Sequence, residues 1–167
     1  MGLRRVSVIG FCLAAVAAVV MLAAVIIRPP KIYISEICPS NSETSKKTAM
    51  QDKNGEPSDW IEIYNPTNRD ISLTGFSLSK NGGGDQPLGG YVIKAHDYII
   101  VYCSSAGFEN ADFPHADFSI GKVSEAEIIL KYDSFRCESI KMPKLNKGVS
   151  YSKNVKGEMY VSDRKST

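Results

Sequence analysis

Trp60, the only tryptophan of the chain, stands between two carboxylates, Asp59 and Glu62, in the segment DWIEIY at 59–64. Paired carboxylates carry glycoside hydrolysis and general acid–base chemistry when they converge on one cleft. On an extended chain, residues three apart point to opposite faces, because side chains alternate with a period of two. Convergence of Asp59 and Glu62 would therefore need a bulged strand. Trp60 and Glu62 do share a face. The spacing predicts architecture: an indole packed into or over a sheet, and a semi-buried Glu62 carboxylate satisfied by loop amides or a basic side chain.

The other reactive residue types are sparse. The two histidines, His96 at a turn and His115 in the polar run DFPHADFS, stand apart in sequence. No HExxH, GxSxG or Cys-x-x-Cys pattern joins them to a metal or a nucleophile. The run NGGGDQPLGG (81–90) has the glycines of a phosphate cradle, yet no helical pattern follows to supply the helix N-terminus that such a cradle needs. Asp52 to Glu56, DKNGE, alternates oxygen ligands as calcium loops do, without the fixed glycine and distal glutamate of an EF-hand. Calcium stays an alternative. Neither an enzyme nor a cofactor is expected, and no catalytic or metal-ligating residue is assigned.

The elements that would position these residues read as short strands. KIYISEIC (31–38) alternates Ile32 and Ile34 with polar partners, and DWIEIY follows a long polar loop, 39–58, closing on the turn signal Asn65-Pro66. DISL and GFSLS flank Thr74-Gly75, and YVIKAHDYIIVYC holds two strands with a turn at Lys94 to Asp97. AEIILKY and RCESIKM read as a hairpin joined across Asp133-Ser134. Eight or nine such strands with almost no helix predict an all-β sandwich. Its core would come from Ile32, Ile34, Ile61, Ile63, Leu73, Phe76, Leu78, Ile99, Val101, Ile128 and Leu130.

Ahead of the strands, Val6 to Ile27 is free of charge. As a helix it would span about 33 Å, against roughly 30 Å of bilayer hydrocarbon. Arg4 and Arg5 precede it, and Pro29-Pro30 would stop it. The expectation is a single transmembrane helix within residues 1–28, placing a sandwich at 29–160 and a tail at 161–167 outside the cytoplasm. Ala15, Ala17, Ala23 and Ala24 leave a cleaved secretory signal as the alternative, although its apolar run is commonly only about 7–15 residues. Only Arg4 and Arg5 of the 20 basic residues lie before Arg28, so the exported part is formally neutral against its 18 acidic residues. That balance gives no basic field for nucleic acid. Cys38, Cys103 and Cys137 form an odd set outside the apolar run; two could pair in an oxidising compartment, or all could serve packing.

The ordered segments YISEICPSN, SDWIEIYNPTNRDISLTGFSLS, YVIKAHDYIIVYCS, HADFSIGKVSEAEIILKYD and KGVSYSKN resemble the lamin tail domain, specifically its bacterial exported relatives. The likeness runs from about Lys31 to Tyr160, and the segment around Trp60 is its most specific piece. It implies an immunoglobulin-like β-sandwich without catalytic residues, in which Glu36, Asn41, Asp59, Trp60, Glu62 and Asn65 determine the fold. Ser35 departs from the usual asparagine, and SYSKN replaces the usual Ser-x-Gly-Arg. The resulting expectation is a membrane-anchored extracytoplasmic binding or scaffolding module for a protein or cell-envelope ligand, contacted through the loops at 39–58 and 82–90. The targeting domain of an exported enzyme or spore-coat-type kinase system, and a calcium-dependent adhesin, are the alternatives.

Overall fold

The computed structural model describes residues 29–41, 57–104, 113–121 and 126–163, and within them every regular element is a strand. The expected transmembrane helix, most of the 39–58 loop and the DKNGE run lie outside the described residues. The strands are β1 (Tyr33–Cys38), β2 (Asp59–Tyr64), β3 (Ile71–Ser72), β4 (Phe76–Lys80), β5 (Gln86–Pro87) and β6 (Val92–Ile93). They continue as β7 (Tyr98–Cys103), β8 (His115–Ala116), β9 (Glu127–Tyr132), β10 (Phe135–Lys141), β11 (Val149–Lys153) and β12 (Met159–Asp163). One sheet has the order β12-β11-β1-β2-β7-β8, a second β10-β9-β4-β5, and β3 pairs with β6 in a third. All pairings are antiparallel except β7 with β8.

The two larger sheets share one core. Ile34, Ile37, Ile61, Ile63 and Val101 enter it from the six-stranded sheet, and Phe76, Leu78, Ile128, Leu130 and Ile140 from the four-stranded one. Ile71 and Ile93 add the facing pair of the small sheet. The fold is thus an all-β sandwich of immunoglobulin-like type, closed by non-directional burial of alternating apolar residues.

Several segments depart from the simple alternation. In β1 the register slips between Ile34 and Glu36, leaving Ser35 as an extra residue. This bulge lets both Ile34 and Ile37 face the core, which a strict period of two forbids. β4 is buried along Phe76–Ser79, serines included, because it is flanked by β9 and β5 and covered on both faces. NGGGDQPLGG is more than a flexible loop: it contains β5, and Leu88 is fully buried with its N–H on the Phe76 carbonyl at 2.8 Å. His115 lies in strand β8 instead of a loop, and β11 with β12 forms a hairpin reaching Asp163, past the expected sandwich boundary at 160. The Asp133-Ser134 hairpin closes Tyr132 against Phe135, with Asp133 at a φ of 49°.

Candidate functional site

Asp59, at the start of β2, lies on the core side with Ile61 and Ile63, opposite Cys103. Its Oδ2 accepts the N–H groups of Ile120 at 2.9 Å and Gly121 at 3.0 Å, and the Ser119 hydroxyl at 2.9 Å. Gly121 has a φ of 76°, so successive amides cup one oxygen, an arrangement that side chains with a Cβ rarely reach. Lys80 Nζ donates to the Ser119 carbonyl at 2.7 Å and pins the same segment. Burial pushes the Asp59 carboxyl above its ordinary range, against the opposing pull of the Gly121 amide, the Ser119 hydroxyl, the Ile120 amide and the Lys80 charge.

This shift has a sign that can be measured. A carboxyl raised in the fold contributes stability that is complete below its unfolded pKa, near ~3.9, and is lost as pH rises through the folded value. Asp59→Asn keeps an acceptor for the three donors and removes the ionisation. In urea melts at pH 3 and pH 7, the variant should gain on wild type as pH rises. A gap between the two proteins that stays constant across that interval would contradict the assignment.

Asn65, just after β2, is fully buried. Its Nδ2 donates to the carbonyls of Arg69 at 2.8 Å, Lys94 at 2.9 Å and Ile93 at 3.2 Å, while its Oδ1 accepts Thr67 N–H at 2.9 Å and Thr67 Oγ1 at 2.7 Å. The Asn65 amide itself donates to the Asp97 carbonyl at 2.9 Å. One side chain thereby welds the turn after β2 to the turn between β6 and β7. Asp70 bonds Lys94 Nζ at 2.7 Å and the Ala95 amide at 3.1 Å, and His96 Nε2 meets Asn68 Oδ1 at 2.6 Å, so the same two turns are joined again at the surface.

The opposite face of the six-stranded sheet looks away from the core, and register arranges it in rows. Tyr98, Tyr64 and Tyr33 stand side by side across β7, β2 and β1. The next row is Ile100, Glu62, Glu36, Ser152 and Tyr160; beyond it lie Tyr102, Trp60 and Cys38. Trp60 and Cys38 are buried there, outside the main core, near buried Ser40, Asn41, Ser58 and Ser150. The tyrosine row is open, with Tyr98 55% exposed. Glu62 Oε1 accepts the hydroxyl of the bulged Ser35 at 2.5 Å, and Glu36 is directly opposite Glu62. Like charges so placed repel, so the row is a concentrated acceptor surface beside three phenols.

A lock at the end of this face holds the two sheets in place. Glu138, beside a bulge in β10, accepts the Ile34 amide with Oε2 at 2.7 Å and the Lys153 ammonium with Oε1. Lys153 Nζ lies 4.5 Å from the Tyr33 ring centroid, and the Tyr33 and Tyr64 rings are 5.6 Å apart. Burial, then the negative charge of the Tyr64 phenolate, Glu138 and Glu62, raises the Tyr33 phenol above its ordinary value. Sequence spacing could not find this contact, since Glu138 and Ile34 are 104 residues apart.

The six residues singled out in sequence therefore divide. Asp59 and Asn65 spend their side chains on backbone groups. Glu62, Glu36 and Trp60 share the outer face, and Asn41 is buried at the end of β1. Asp59 and Glu62 stand on opposite faces of β2. His115 Nε2 meets Ser104 Oγ at 3.0 Å, the reach of a base and a nucleophile. The contact closes the loop between β7 and β8, where Ser104 N also donates to the Ala116 carbonyl at 3.2 Å. Among the described residues, no three His, Cys, Asp or Glu side chains group as metal ligands.

Cys38 and Cys103 cannot pair. They lie on strands separated by β2, so about 10 Å apart, and point to opposite faces. Burial, then the Asp59 charge, pushes the Cys103 thiol well above its ordinary value, the state of an inert core thiol.

No curated protein is matched by this chain. A family model described as Lamin Tail Domain matches residues 28–137, which takes in β1 to β9 and the start of β10 together with the Asp59 and Asn65 hubs. The chain belongs to the lamin tail domain family.

Proposed function

We propose that this protein is a non-catalytic binding module held at the outer side of a membrane, working through the tyrosine and glutamate rows of its six-stranded sheet. The observation that carries the reading is where the polar side chains go. Asp59 and Asn65 are consumed by backbone amides and carbonyls, while Tyr98, Tyr64, Glu62 and Glu36 are directed outward on one rigid face. Tyrosines supply large contact area at low entropic cost, and carboxylates select donors. The Gly82–Gly90 segment is a weaker candidate, because Leu88 is buried and Asp85 is held by Lys131 at 2.6 Å. Membrane attachment rests on the charge-free run Val6 to Ile27.

Photo-cross-linking on intact envelopes tests both halves. Full-length chain should fractionate with membranes, and Val16→Arg with Val19→Asp should release it, because each central charge costs about 2.5–3.5 kcal/mol on insertion scales. Tyr64→Ser with Tyr98→Ser should abolish the specific cross-linked product while the chain stays membrane-bound. An unchanged product would overturn the outer-face assignment, and a soluble wild type would overturn the tether.

A further inference from the structure

The outer strands of the two larger sheets are not equally defended. β5 and β8 are two residues long, and β5 ends in Pro87. β10 is broken by the bulge at Cys137 and carries Arg136, Glu138 and Lys141. Short length, proline, bulges and charge are the devices that keep a sheet edge from pairing with another chain. β12, Met-Tyr-Val-Ser-Asp, runs five residues in unbroken register with β11 and has no bulge, proline or glycine, and its one charged residue is the terminal Asp163. Tyr160 and Val161 are both exposed, one on each face of the strand, with Val161 56% exposed.

The direction of its unpaired groups follows from the hairpin. Asn154 N–H donates to the Glu158 carbonyl at 2.9 Å, which makes that pair a hydrogen-bonded one. Antiparallel ladders alternate, so Tyr160 and Ser162 bond β11, while Met159, Val161 and Asp163 turn their amides and carbonyls to the open side.

We propose that β12 is a homodimerisation edge, pairing antiparallel with β12 of a second copy about a two-fold axis at Val161. That register matches outward groups on both strands. Val161 faces its own copy, and Met159 faces Asp163 twice, giving six inter-chain hydrogen bonds in a symmetric, isologous contact. Two exposed Val161 side chains meet on one face, beside Met159 and Tyr151, which pack against the core. The six-stranded sheets join edge to edge into a continuous one.

Sedimentation of the full-length chain in detergent micelles, over a concentration series, tests this. Wild type should show a monomer–dimer equilibrium. Val161→Pro removes an outward amide and leaves the β11 bonds intact; it should raise the dissociation constant at least tenfold while circular dichroism and Trp60 emission stay unchanged. In a Cys137→Ser background, Val161→Cys should form an inter-chain disulfide under mild oxidation, because the two Cα atoms would lie about 5.5 Å apart. Tyr160→Cys, facing Ser162 of the other copy, should cross-link far less. A monomer at all concentrations, a dimer indifferent to Val161→Pro, or equal cross-linking at 160 and 161 would each overturn the proposal.

Discussion

Asn65→Ala is expected to lower the unfolding free energy by about 3–5 kcal/mol, since a buried polar group stripped of its partner costs about 1–3 kcal/mol and several are stripped at once. The carbonyls of Ile93, Lys94 and Arg69 each lose a donor, and the Thr67 amide and hydroxyl lose their acceptor. Solvent can rescue those near the surface, which is why the total stays below the sum of five bonds. The loss is still a large share of the roughly 5–15 kcal/mol that holds a domain together. Asn65→Asp separates hydrogen bonding from packing. It conserves volume and the Thr67 contacts, yet presents a carboxylate to three carbonyl oxygens, so it should be at least as damaging at neutral pH. Urea denaturation followed by circular dichroism gives both numbers. An Asn65→Asp variant as stable as wild type at pH 7 would mean the amide donates nothing there.

Asn65 also shows how far sequence reaches. Asn-Pro after an apolar run marks a turn, and the strand DWIEIY before it is found at 59–64 as written. The type of residue signals local geometry, but the carbonyls at 93 and 94 are brought in by β6, nearly 30 positions later. β2 is legible because Ile61 and Ile63 are buried on either side of the half-buried Glu62, and β7 because YIIVYC is a continuous apolar run of strand length. β4, FSLSK, alternates in sequence as a half-buried strand does, but the burial of Ser77 and Ser79 beside Phe76 and Leu78 is not legible from it. β8, two residues paired parallel to β7, has no local signature at all. β11 reads VSYSK, whose most buried positions are Ser150 and Ser152 in the outward row, so hydropathy alone misplaces its burial. Ser35 had a faint one: Ile34 and Ile37 are three apart, and both can reach the core only if a residue is bulged between them. The Glu36 to Glu62 opposition and the tyrosine row depend on register across three strands, which that bulge sets.

Trp60→Ala is the second large effect, expected at about 3–5 kcal/mol, the cost of emptying a buried aromatic site. The indole is 1% exposed although it projects from the sheet face away from the main core. It sits across the ladder from Cys38 on one side and Tyr102 on the other, in a second buried cluster. Two consequences separate this position from a residue of the inner layer. First, wild-type tryptophan emission, excited selectively at the red edge, should be blue-shifted and move red on unfolding, because the one indole reports burial of the outer cluster alone. Second, a double-mutant cycle should tie Trp60 to Cys38, its cross-strand neighbour, and leave it additive with Phe76, which packs on Tyr132 at 4.8 Å in the other sheet. Residues in contact couple by about 0.5–3 kcal/mol, whereas distant ones add within about 0.3–0.5 kcal/mol. Coupling of Trp60 to Phe76 but not to Cys38 would place the indole in the inner core and reverse the facing of β2. A Trp60→Ala loss under about 1 kcal/mol, the range of surface substitutions, would place it in solvent. The first result would also move Glu62 and Tyr64, which share its face, off the surface assigned to binding.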